Sequence, residues 1–321
     1  MMIFQRRARG LALASLFALL LSPLSAGAQD EGADKRKKTP AGAPVLWRAP
    51  VDLPSRDLLL GPGGVAMRPD LGRVTFLKEE KGGFSKKYRV RDAAGRTWVA
   101  KIGKEAQSET AATRLVWAVG YVTEINYLVP RLTIEGKGTF ENVRLEARPD
   151  SIERLDEWKW SENPFTGTKE LQGLVVMMGL LNNWDIKDAN NKILQVSDPA
   201  TGRRELHYII SDLGATFGRV KLNAPLLWRV RRNRNDPEDY AKSAFLEDVK
   251  GDQVFIFYNG KRQDLFDDIS VRDAKWIGSL LARLSDRQIG DAFRAANYTP
   301  AEVDLLTGAV RERIRELAAI R

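Results

Sequence analysis

Residues 73–102 alternate apolar and polar side chains in short runs that are separated by turn residues. Alternation with a period of two is typical of strands that bury one face. The predicted strands are 73–78, 87–91 and 96–102, with turns at 81–85 and 94–95. The chain therefore begins its fold with an antiparallel three-stranded sheet, which excludes all-helical and doubly wound parallel architectures for this part of the chain.

A helix is predicted directly after the third strand, over residues 104–119. Its apolar positions recur at helical spacing, at Ala111, Ala112, Leu115, Val116 and Val119. Glu105 and Glu109 are four residues apart and therefore share a face of this helix. On the preceding strand, alternation places Val99 and Lys101 on one face.

A polar loop follows a second apolar helix, which is predicted from an N-cap at Thr168 to about residue 181. The loop carries Asp185, Lys187 and Asn190. Two strands are predicted next, at 192–196 and 206–210, and the second ends in Ser-Asp-Leu-Gly, with the carboxylate at Asp212. A strand that ends in Asp and then Gly aims the carboxylate and frees the segment that follows.

Taken in order, a strand Lys, a helix Glu, Asp-x-Lys-x-x-Asn and Asp-Leu-Gly resemble the motifs of protein kinases. The resemblance implies that Lys101, paired with Glu109 rather than Glu105, holds nucleotide phosphates. It implies that Asp185 orients or deprotonates the acceptor and that Lys187 offsets developing charge. The remaining implied site residues are Asn190 and Asp212 as ligands of Mg2+ or Mn2+, and Gly82, Gly83, Phe84, Ser85 and Val99 as contacts of ATP or another nucleotide.

The sequence departs from ordinary protein kinases at two places. Asn183 and Trp184 stand where those kinases have His and Arg, and no Ala-Pro-Glu follows Gly214. The usual activation-loop machinery is therefore not expected. Such losses are typical of atypical relatives, namely the HipA-type, CotH-type and secretory-pathway casein-type kinases and the phosphoinositide kinases, and the pattern does not choose among them.

The fold class that the resemblance implies is α+β, with a small antiparallel-sheet lobe carrying one helix and a mainly helical second lobe. The predicted divisions are a signal peptide at 1–28, a flexible linker or arm at 29–66, a sheet lobe at 67–165 and a helical lobe at 166–321. Three helices are predicted to close the chain, two of them beginning with capping boxes at Ser285 and Thr299.

Composition limits the chemistry. The 321 residues are 43% hydrophobic and 29% charged, which describes an ordinary globular protein. With no Cys and a single His, His207, thiolate chemistry is excluded and zinc is disfavoured, so a metal site must use Asp, Glu and Asn oxygens. The net charge of +9 favours anionic partners, while nucleic acid is disfavoured because no basic motif alternates with aromatic residues.

The first residues predict export. Arg6, Arg7 and Arg9 precede an apolar run at 11–21, and small residues near Ala28 provide a cleavage site. General secretion is favoured over twin-arginine export. We expect a periplasmic or extracellular protein without a transmembrane span in the mature chain, since no later stretch reaches about 20 apolar residues.

The predicted function is phosphoryl transfer from a nucleotide to a hydroxyl group on a protein, lipid or sugar. Two alternatives stay open: a non-catalytic, pseudokinase-like binding or scaffold protein of the cell envelope, and a sugar-binding protein that uses Trp158 and Trp160. The basic segment 219–240 is interpreted either as a substrate-recruiting rim or as a surface helix.

Overall fold

The computed structural model describes residues 41–81, 85–197, 202–222 and 230–321. The predicted signal peptide, the first part of the predicted linker, the predicted glycine turn at Gly82, Gly83 and Phe84, and Arg229 of the basic segment lie outside these residues. Within them, strands and helices are segregated along the chain, which confirms the α+β class.

The strands, in chain order, are β1 Ala43–Val45, β2 Thr75–Glu80, β3 Lys86–Arg91, β4 Thr97–Ile102, β5 Asn126–Ile134, β6 Gly138–Ala147, β7 Ile152–Arg154, β8 Asn191–Ser197, β9 Arg204–Ile210, β10 Val220–Leu222, β11 Val230–Arg232, β12 Leu246–Lys250 and β13 Gln253–Ile256. The α-helices are α1 Glu105–Ala118, α2 Lys169–Leu180, α3 Pro237–Ala241, α4 Val271–Ala282, α5 Asp286–Arg294 and α6 Pro300–Ala318.

The first large sheet is antiparallel and has the strand order β2-β3-β4-β6-β5. The three strands predicted at its start are confirmed to within two residues. Tyr88, Val90, Trp98 and Ala100 are buried on one face, as the alternating pattern requires. At the β3–β4 hairpin, Gly95 has a φ of 82°, a conformation that glycine adopts without steric cost.

Helix α1 packs against β4, β5 and β6. Its core face contains Ala111, Ala112, Leu115 and Val116, the positions that the helical spacing predicted. Arg114 is also buried, and its guanidinium donates to the side-chain and backbone oxygens of Asn126 on β5. The helix is therefore fixed to the sheet by polar as well as apolar contacts.

A second sheet has the order β1-β9-β8-β7, with β1 parallel to β9. This pairing shows that the prediction of a flexible linker is wrong for residues 41–66. Leu46, Leu53 and Leu58 in this segment are at most 2% exposed and belong to the core shared with the helices. The segment has no regular period because it packs as single residues between short 3-10 turns.

The C-terminal part is mainly helical. Helix α2 begins at the predicted N-cap, where the Thr168 hydroxyl accepts from Leu171 N–H, and its Leu174, Val175 and Met178 are buried. Helix α4 packs on α2, and α6 packs on α4 and α5. The capping boxes predicted at Ser285 and Thr299 are both present, so local sequence sets where α5 and α6 begin.

The basic segment after Gly214 differs from the predicted surface helix. Its described residues form the antiparallel pair β10–β11 and the short helix α3, which starts at the N-cap Asp236. In the part of the chain that the structure describes, no helix combines the length and apolar character needed to cross a membrane.

Candidate functional site

Side chains from β4, α1, β6 and the segments around Asn190 and Asp212 line one cavity of about 230 Å3. Val99 and Lys101 both face it, as their strand positions predicted. The sequence-predicted residues Glu109, Asn190 and Asp212 line the same cavity. Residues more than 100 positions apart in the sequence are thus brought to one place.

Lys101 lies at the centre of the carboxylates in this cavity. Its Nζ is 2.8 Å from Glu109 Oε2, 3.0 Å from Glu105 Oε2 and 3.5 Å from Asp212 Oδ1. Burial alone lowers the pKa of Lys101, but the charges of Glu109 and Asp212 outweigh burial and raise it. Lys101 is therefore a fixed cation, and it contacts Glu105 as well as the expected Glu109.

Arg144 on β6 extends this contact into a wider group of charges. Its guanidinium is 2.8 Å from Glu146, 3.2 Å from Glu124 and 3.4 Å from Glu109. We call Lys101, Glu109, Glu124, Arg144 and Glu146 the buried cluster, since each is at most 6% exposed. Such charges are tolerated out of water only when they are paired, so these residues hold one another in place.

Within the buried cluster, Glu124, which precedes β5, and Glu146, which lies on β6, have pKa values shifted in opposite directions. Burial raises the pKa of Glu124 to about 7. Although burial also acts to raise the pKa of Glu146, the charges of Arg148 and Arg144 outweigh it and hold that pKa well below its ordinary value. One carboxyl group of this pair is therefore protonated much more readily than the other.

Sequence reasoning found the Lys101–Glu109 pair of this cluster but missed Glu124, Arg144 and Glu146. The signal was present on β6, where Arg144, Glu146 and Arg148 alternate with apolar residues and therefore share one face of the strand. Glu124 and Arg154, by contrast, reach the cluster from other elements, and Arg154 contacts both Glu124 and Glu146. Only the tertiary structure brings those two residues in.

Asp185 occupies the loop after α2 and is held by two lysines. Lys187 Nζ donates to Asp185 Oδ2 at 2.9 Å, and Lys261 Nζ lies 2.6 Å from Oδ1. We call Asp185, Lys187 and Lys261 the loop site. Burial acts to raise the pKa of Asp185, but Lys261 and Lys187 together lower it, so the carboxylate stays ionised. Lys261 was not found from the sequence because it follows β13, far along the chain.

The loop is fixed by its own amide side chains. Asn190 Nδ2 donates to the carbonyl of Asp185 at 2.8 Å, and Asn183 Oδ1 accepts from Asp185 N–H at 3.2 Å. Asp185 Oδ1 is buried beside Lys261 Nζ, so each oxygen of this carboxylate is paired with a lysine. A hydroxyl group that binds Asp185 must therefore displace one of the two ammonium groups.

Asp212 and Gly214 follow strand β9 and connect this part of the chain to helix α1. Asp212 Oδ1 accepts from Gly214 N–H at 3.1 Å, and the Gly214 carbonyl accepts from Ser108 on α1 at 2.9 Å. A Cβ at position 214 would lie 2.8 Å from Glu105, so the close approach of the helix requires glycine here. The Asp-Leu-Gly turn and the helix of Glu109 thus pack as one unit.

A strand lysine paired with a helix glutamate, a loop Asn and an Asp-Leu-Gly turn line one cavity in the chain order of the protein-kinase motifs. Asp185 and Lys187 do not line that cavity, but Asn190 joins the cavity to their loop through its hydrogen bond to the Asp185 carbonyl. The fold is kinase-like. This arrangement supports the predicted small sheet lobe with one helix and mainly helical second lobe.

The kinase-like structure is similar to three solved kinase structures. For the Helicobacter pylori proinflammatory kinase CtkA the TM-score is 0.46 and 12% of residues are identical, over 76% of this chain and 95% of that one. For the Rio2 kinase–ADP/Mg2+–phosphoaspartate complex from Chaetomium thermophilum the values are 0.32 and 13%, over 78% and 74%. For another Rio2 kinase structure from Chaetomium thermophilum they are 0.28 and 12%, over 76% and 72%.

No protein-family model matches the sequence, and no curated protein matches it significantly. The resemblance to HipA-type, CotH-type and secretory-pathway casein-type kinases stays a prediction. Since the TM-scores lie below 0.5, the function proposed below depends on the residues of the site.

Trp184 stands where ordinary protein kinases have Arg, and in this kinase-like structure its ring lies beside two arginines. The Trp184 indole N–H donates to the carbonyl of Asn233 at 2.9 Å, and the guanidinium groups of Arg232 and Arg234 lie 5.7 and 4.9 Å from the ring centre. Arg234 also contacts Glu105 on α1. The interaction is therefore a cation–π contact, in which the segment after Asp-Leu-Gly provides the two arginines and the loop after α2 provides the aromatic ring.

Ser85, predicted to contact nucleotide, lies beside this site and not in its cavity. Its hydroxyl donates to Glu105 Oε2 at 2.9 Å, and it lines a neighbouring cavity together with Lys86 and Lys104. Gly82, Gly83 and Phe84, the rest of that prediction, lie outside the described residues.

Trp158 and Trp160 do not form a sugar platform. Both indoles are 3% exposed and belong to the core, and Trp158 Nε1 donates to the carbonyl of Ile209. The sequence interpretation of these residues as a glycan-binding surface is therefore wrong, because a stacking platform must be accessible to the ring of the sugar.

The residues fit a magnesium-type ion only with help from a ligand. Among the described residues, His, Asp and Glu side chains form no group of three or more that could hold a metal ion. Asp212 and Asn190 nevertheless offer a carboxylate and an amide oxygen on one cavity, and the Asp212 side chain is 40% exposed. Mg2+ is commonly held by one or two carboxylates together with phosphate oxygens and water, so this donor set fits.

Proposed function

We propose that this chain is a kinase-like phosphotransferase that moves the terminal phosphoryl group of ATP, or another nucleoside triphosphate, to a hydroxyl group. The observation that supports this proposal is the position of Lys101 Nζ, which contacts both Glu109 and Asp212 in a cavity that Asn190 also lines. A lysine, two carboxylates and an amide oxygen are what a bound triphosphate with its metal requires.

On the donor side, Lys101 would bind the alpha and beta phosphates, and Glu109 would hold the ammonium in place. Val99 lines the same cavity and offers apolar surface beside the base. The turn at Gly82, Gly83, Phe84 and Ser85 remains part of this proposal as the segment that covers the phosphates. Because the buried carboxylates already fix the Lys101 side chain, it loses little conformational freedom when nucleotide binds.

Asp212 and Asn190 would hold Mg2+ or Mn2+. When bound, the ion offsets the negative charge of the phosphates. The hydrogen bond from Gly214 N–H to Asp212 Oδ1 fixes this carboxylate at the cavity.

On the acceptor side, the hydroxyl oxygen would form a bond to the terminal phosphorus as the bond from that phosphorus to the bridging oxygen breaks. The hydroxyl would displace Lys261 from Asp185 Oδ1, and its proton would pass to that oxygen. Since the pKa of Asp185 is lowered, we assign it mainly to orienting the hydroxyl, while Lys187 offsets charge on the transferring group.

We also propose that the protein acts outside the cytoplasm after removal of residues 1–28, because the basic, apolar and small-residue segments of a signal peptide are present in order. Cell fractionation and N-terminal sequencing test this. A cytoplasmic protein with an intact N-terminus would contradict export without affecting the proposed chemistry.

A second candidate is a non-catalytic, pseudokinase-like scaffold protein of the cell envelope. One observation favours it: the cavity of about 230 Å3 is smaller than most small-molecule sites, and its lining includes the charged side chains Arg144, Glu146 and Arg148, whereas such sites are mostly apolar. The two candidates differ in whether nucleotide binds with metal and turns over.

Thermal unfolding with ATP or ADP, each with and without Mg2+ or Mn2+, separates these candidates. For the enzyme, nucleotide at about 100 times its Kd adds about 2.7 kcal/mol of stability, a rise of several degrees in Tm that needs the metal. Release of labelled terminal phosphate then tests turnover. No metal-dependent shift with any nucleotide would exclude the phosphotransferase, and a shift without turnover would support the scaffold.

A further inference from the structure

A second cavity, of about 410 Å3, shares the lining residues Arg148 and Arg154 with the candidate active site. It is lined by the connection from α1 to β5, by the connection from β6 to β7, and by side chains of β8 and β9. Its size falls within the range of about 300–1,000 Å3 that is usual for small-molecule sites. Nothing in the proposed phosphoryl transfer uses it.

Much of the lining is apolar. Trp117 lies at the end of α1, Val122 lies in the connection from α1 to β5, Ile152 begins β7, and Leu194 and Val196 lie on β8. Val122, Ile152 and Val196 are only partly buried, so their side chains keep surface that a ligand can cover. Covering apolar surface is the main source of affinity for a small molecule in such a cavity.

Arginines provide the polar part of the lining. In the part of the chain that the structure describes, the arginines that line the cavity are Arg48, Arg56, Arg148 and Arg154. Glu124 is the one carboxyl group among the described lining residues, and burial raises its pKa to about 7, so it is partly neutral near that pH. Cationic donors therefore exceed anionic acceptors at the surface of the cavity.

Neighbouring carboxylates use part of this donor capacity. Arg48 contacts Glu205, and Arg56 contacts Asp52. Arg148 uses the same nitrogen, Nη1, for Glu146 and for the carbonyl of the preceding residue, among its contacts with the described residues. A guanidinium has five N–H donors, so Arg148 has donors beyond those that its Nη1 contacts use.

An unpaired hydroxyl also points to a ligand. Thr123 lines the cavity, and its Oγ1 is buried without a hydrogen-bond partner among the described residues. A buried polar atom left in this state costs about 1–3 kcal/mol, which a ligand oxygen can recover. Thr123 lies next to Val122 in the chain, so polar and apolar contacts are available side by side.

We propose that this cavity binds a small organic acid with an apolar body, such as an aromatic carboxylate. Arg148 would hold the carboxylate, Thr123 would donate a hydrogen bond, and Val122, Ile152 and Val196 would cover the ring. Because Arg148 and Arg154 also line the candidate active site, a bound acid would compete with Glu146 for a guanidinium that borders both cavities. The inference goes beyond the proposed function and does not depend on it.

Calorimetric titration of the full chain with 2-naphthoate and with 2-naphthamide tests the proposal, because the two probes share a ring system and differ in charge. We expect one binding site for naphthoate and about tenfold or more weaker binding of naphthamide, the usual effect of a charged hydrogen-bond partner. Equal affinity for both probes, or binding of neither, would overturn the proposal.

Two variants locate the site. Val196→Trp fills the cavity and should abolish naphthoate binding, whereas Gln195→Trp, at the next position of β8 and on its opposite face, should leave binding as in the wild type. Arg148→Gln should remove the preference for naphthoate over naphthamide and keep the binding of naphthamide.

Cooperative thermal unfolding verifies that each variant is folded. If Val196→Trp does not fold, the comparison of naphthoate with naphthamide binding in Arg148→Gln still tests the proposal. Unchanged naphthoate binding in folded Val196→Trp, or an unchanged preference for naphthoate in Arg148→Gln, would show that the acid binds elsewhere and would overturn the assignment.

Discussion

Lys101 and Lys187 each contact a carboxylate oxygen, at 2.8 and 2.9 Å, but their side chains are 5% and 41% exposed. Lys101 belongs to the buried cluster, in which sheet and helix residues neutralise one another away from water. Lys187 belongs to the loop site, where water reaches the ammonium groups of Lys187 and Lys261. Two similar distances therefore correspond to very different contributions to stability. An exposed, solvent-screened ion pair contributes about 0.2–1 kcal/mol, whereas removal of one partner of a buried pair costs about 3–5 kcal/mol.

The difference matches two tasks. A nucleotide-binding cation gains from being fixed before the ligand arrives, because nothing must then be ordered during the reaction. An acceptor site must release its own ion pairs when a substrate enters, and exposed lysines do so at little cost. The buried cluster is therefore expected to determine stability and binding, and the loop site to determine turnover.

The largest effect is expected from Asp185→Asn, which removes the group that orients the acceptor. Turnover should fall by about 10²–10⁴-fold, the usual contribution of a positioned acid or base, while nucleotide affinity stays the same. Steady-state kinetics and calorimetry measure the two quantities. Asp188→Asn, in the same loop, is the matched control and should keep its activity. A loss of nucleotide binding in Asp185→Asn would break the division between the two regions.

A smaller but large effect on stability is expected from Arg144→Met, which leaves Glu109, Glu124 and Glu146 without their shared guanidinium. The free energy of unfolding should drop by about 3–5 kcal/mol. Arg131→Met, on the exposed part of the same sheet, should change it little, because the Arg131 side chain is 76% exposed. Chemical denaturation checks both, and equal stability of the two variants would contradict the importance of the buried cluster.

The buried cluster also predicts a dependence of stability on pH. The pKa of Glu124 rises from 4.5 to about 7 on folding, so the folded state keeps a proton that the unfolded state loses. Its stabilising contribution is present below pH 4.5 and is lost as the pH rises to about 7. The stability of the wild type relative to Glu124→Gln should therefore fall across this window by more than about 1 kcal/mol.

Denaturation curves of both proteins at several pH values within the window measure this difference. A constant difference, or one that grows with pH, would contradict a raised pKa for Glu124.

The smallest effect is expected at Lys261, which lowers the pKa of Asp185 from the exposed side. In Lys261→Met, that pKa should rise, and the acid limb of the activity profile should move to higher pH by less than about one unit. Stability should change by less than about 1 kcal/mol. Lys242→Met, at an exposed lysine that directly follows α3 and pairs with Glu238, serves as the control. A fall in stability as large as that of Arg144→Met would remove the distinction between the regions.

The features that local sequence determines were predictable. Helix starts at Thr168, Ser285 and Thr299 depend on side-chain caps within three residues, and all are present. Strand alternation placed Val99 beside Lys101, and helical spacing placed Glu109 on the face that meets that lysine. In each case the interaction that determines the structure involves residues close together in the chain, so the local sequence pattern predicts it.

The features that depend on distant contacts were not predictable. Strand β1 pairs in parallel with β9, so residues 41–66 lack a local signal although they pack in the core. Lys261 reaches Asp185 from the loop after β13, and Arg154 reaches Glu124 from β7. The interpretation of Trp158 and Trp160 as a surface failed for the same reason, since burial of an indole depends on what packs over it.

Calorimetric titration of nucleotide with and without Mg2+, on the wild type and on Asp212→Asn, tests the central claim most directly. The account predicts that Mg2+ strengthens nucleotide binding to the wild type by about tenfold or more and leaves binding to Asp212→Asn unchanged. Equal strengthening by Mg2+ in both proteins would contradict the assignment of Asp212 and Lys101 to one nucleotide site.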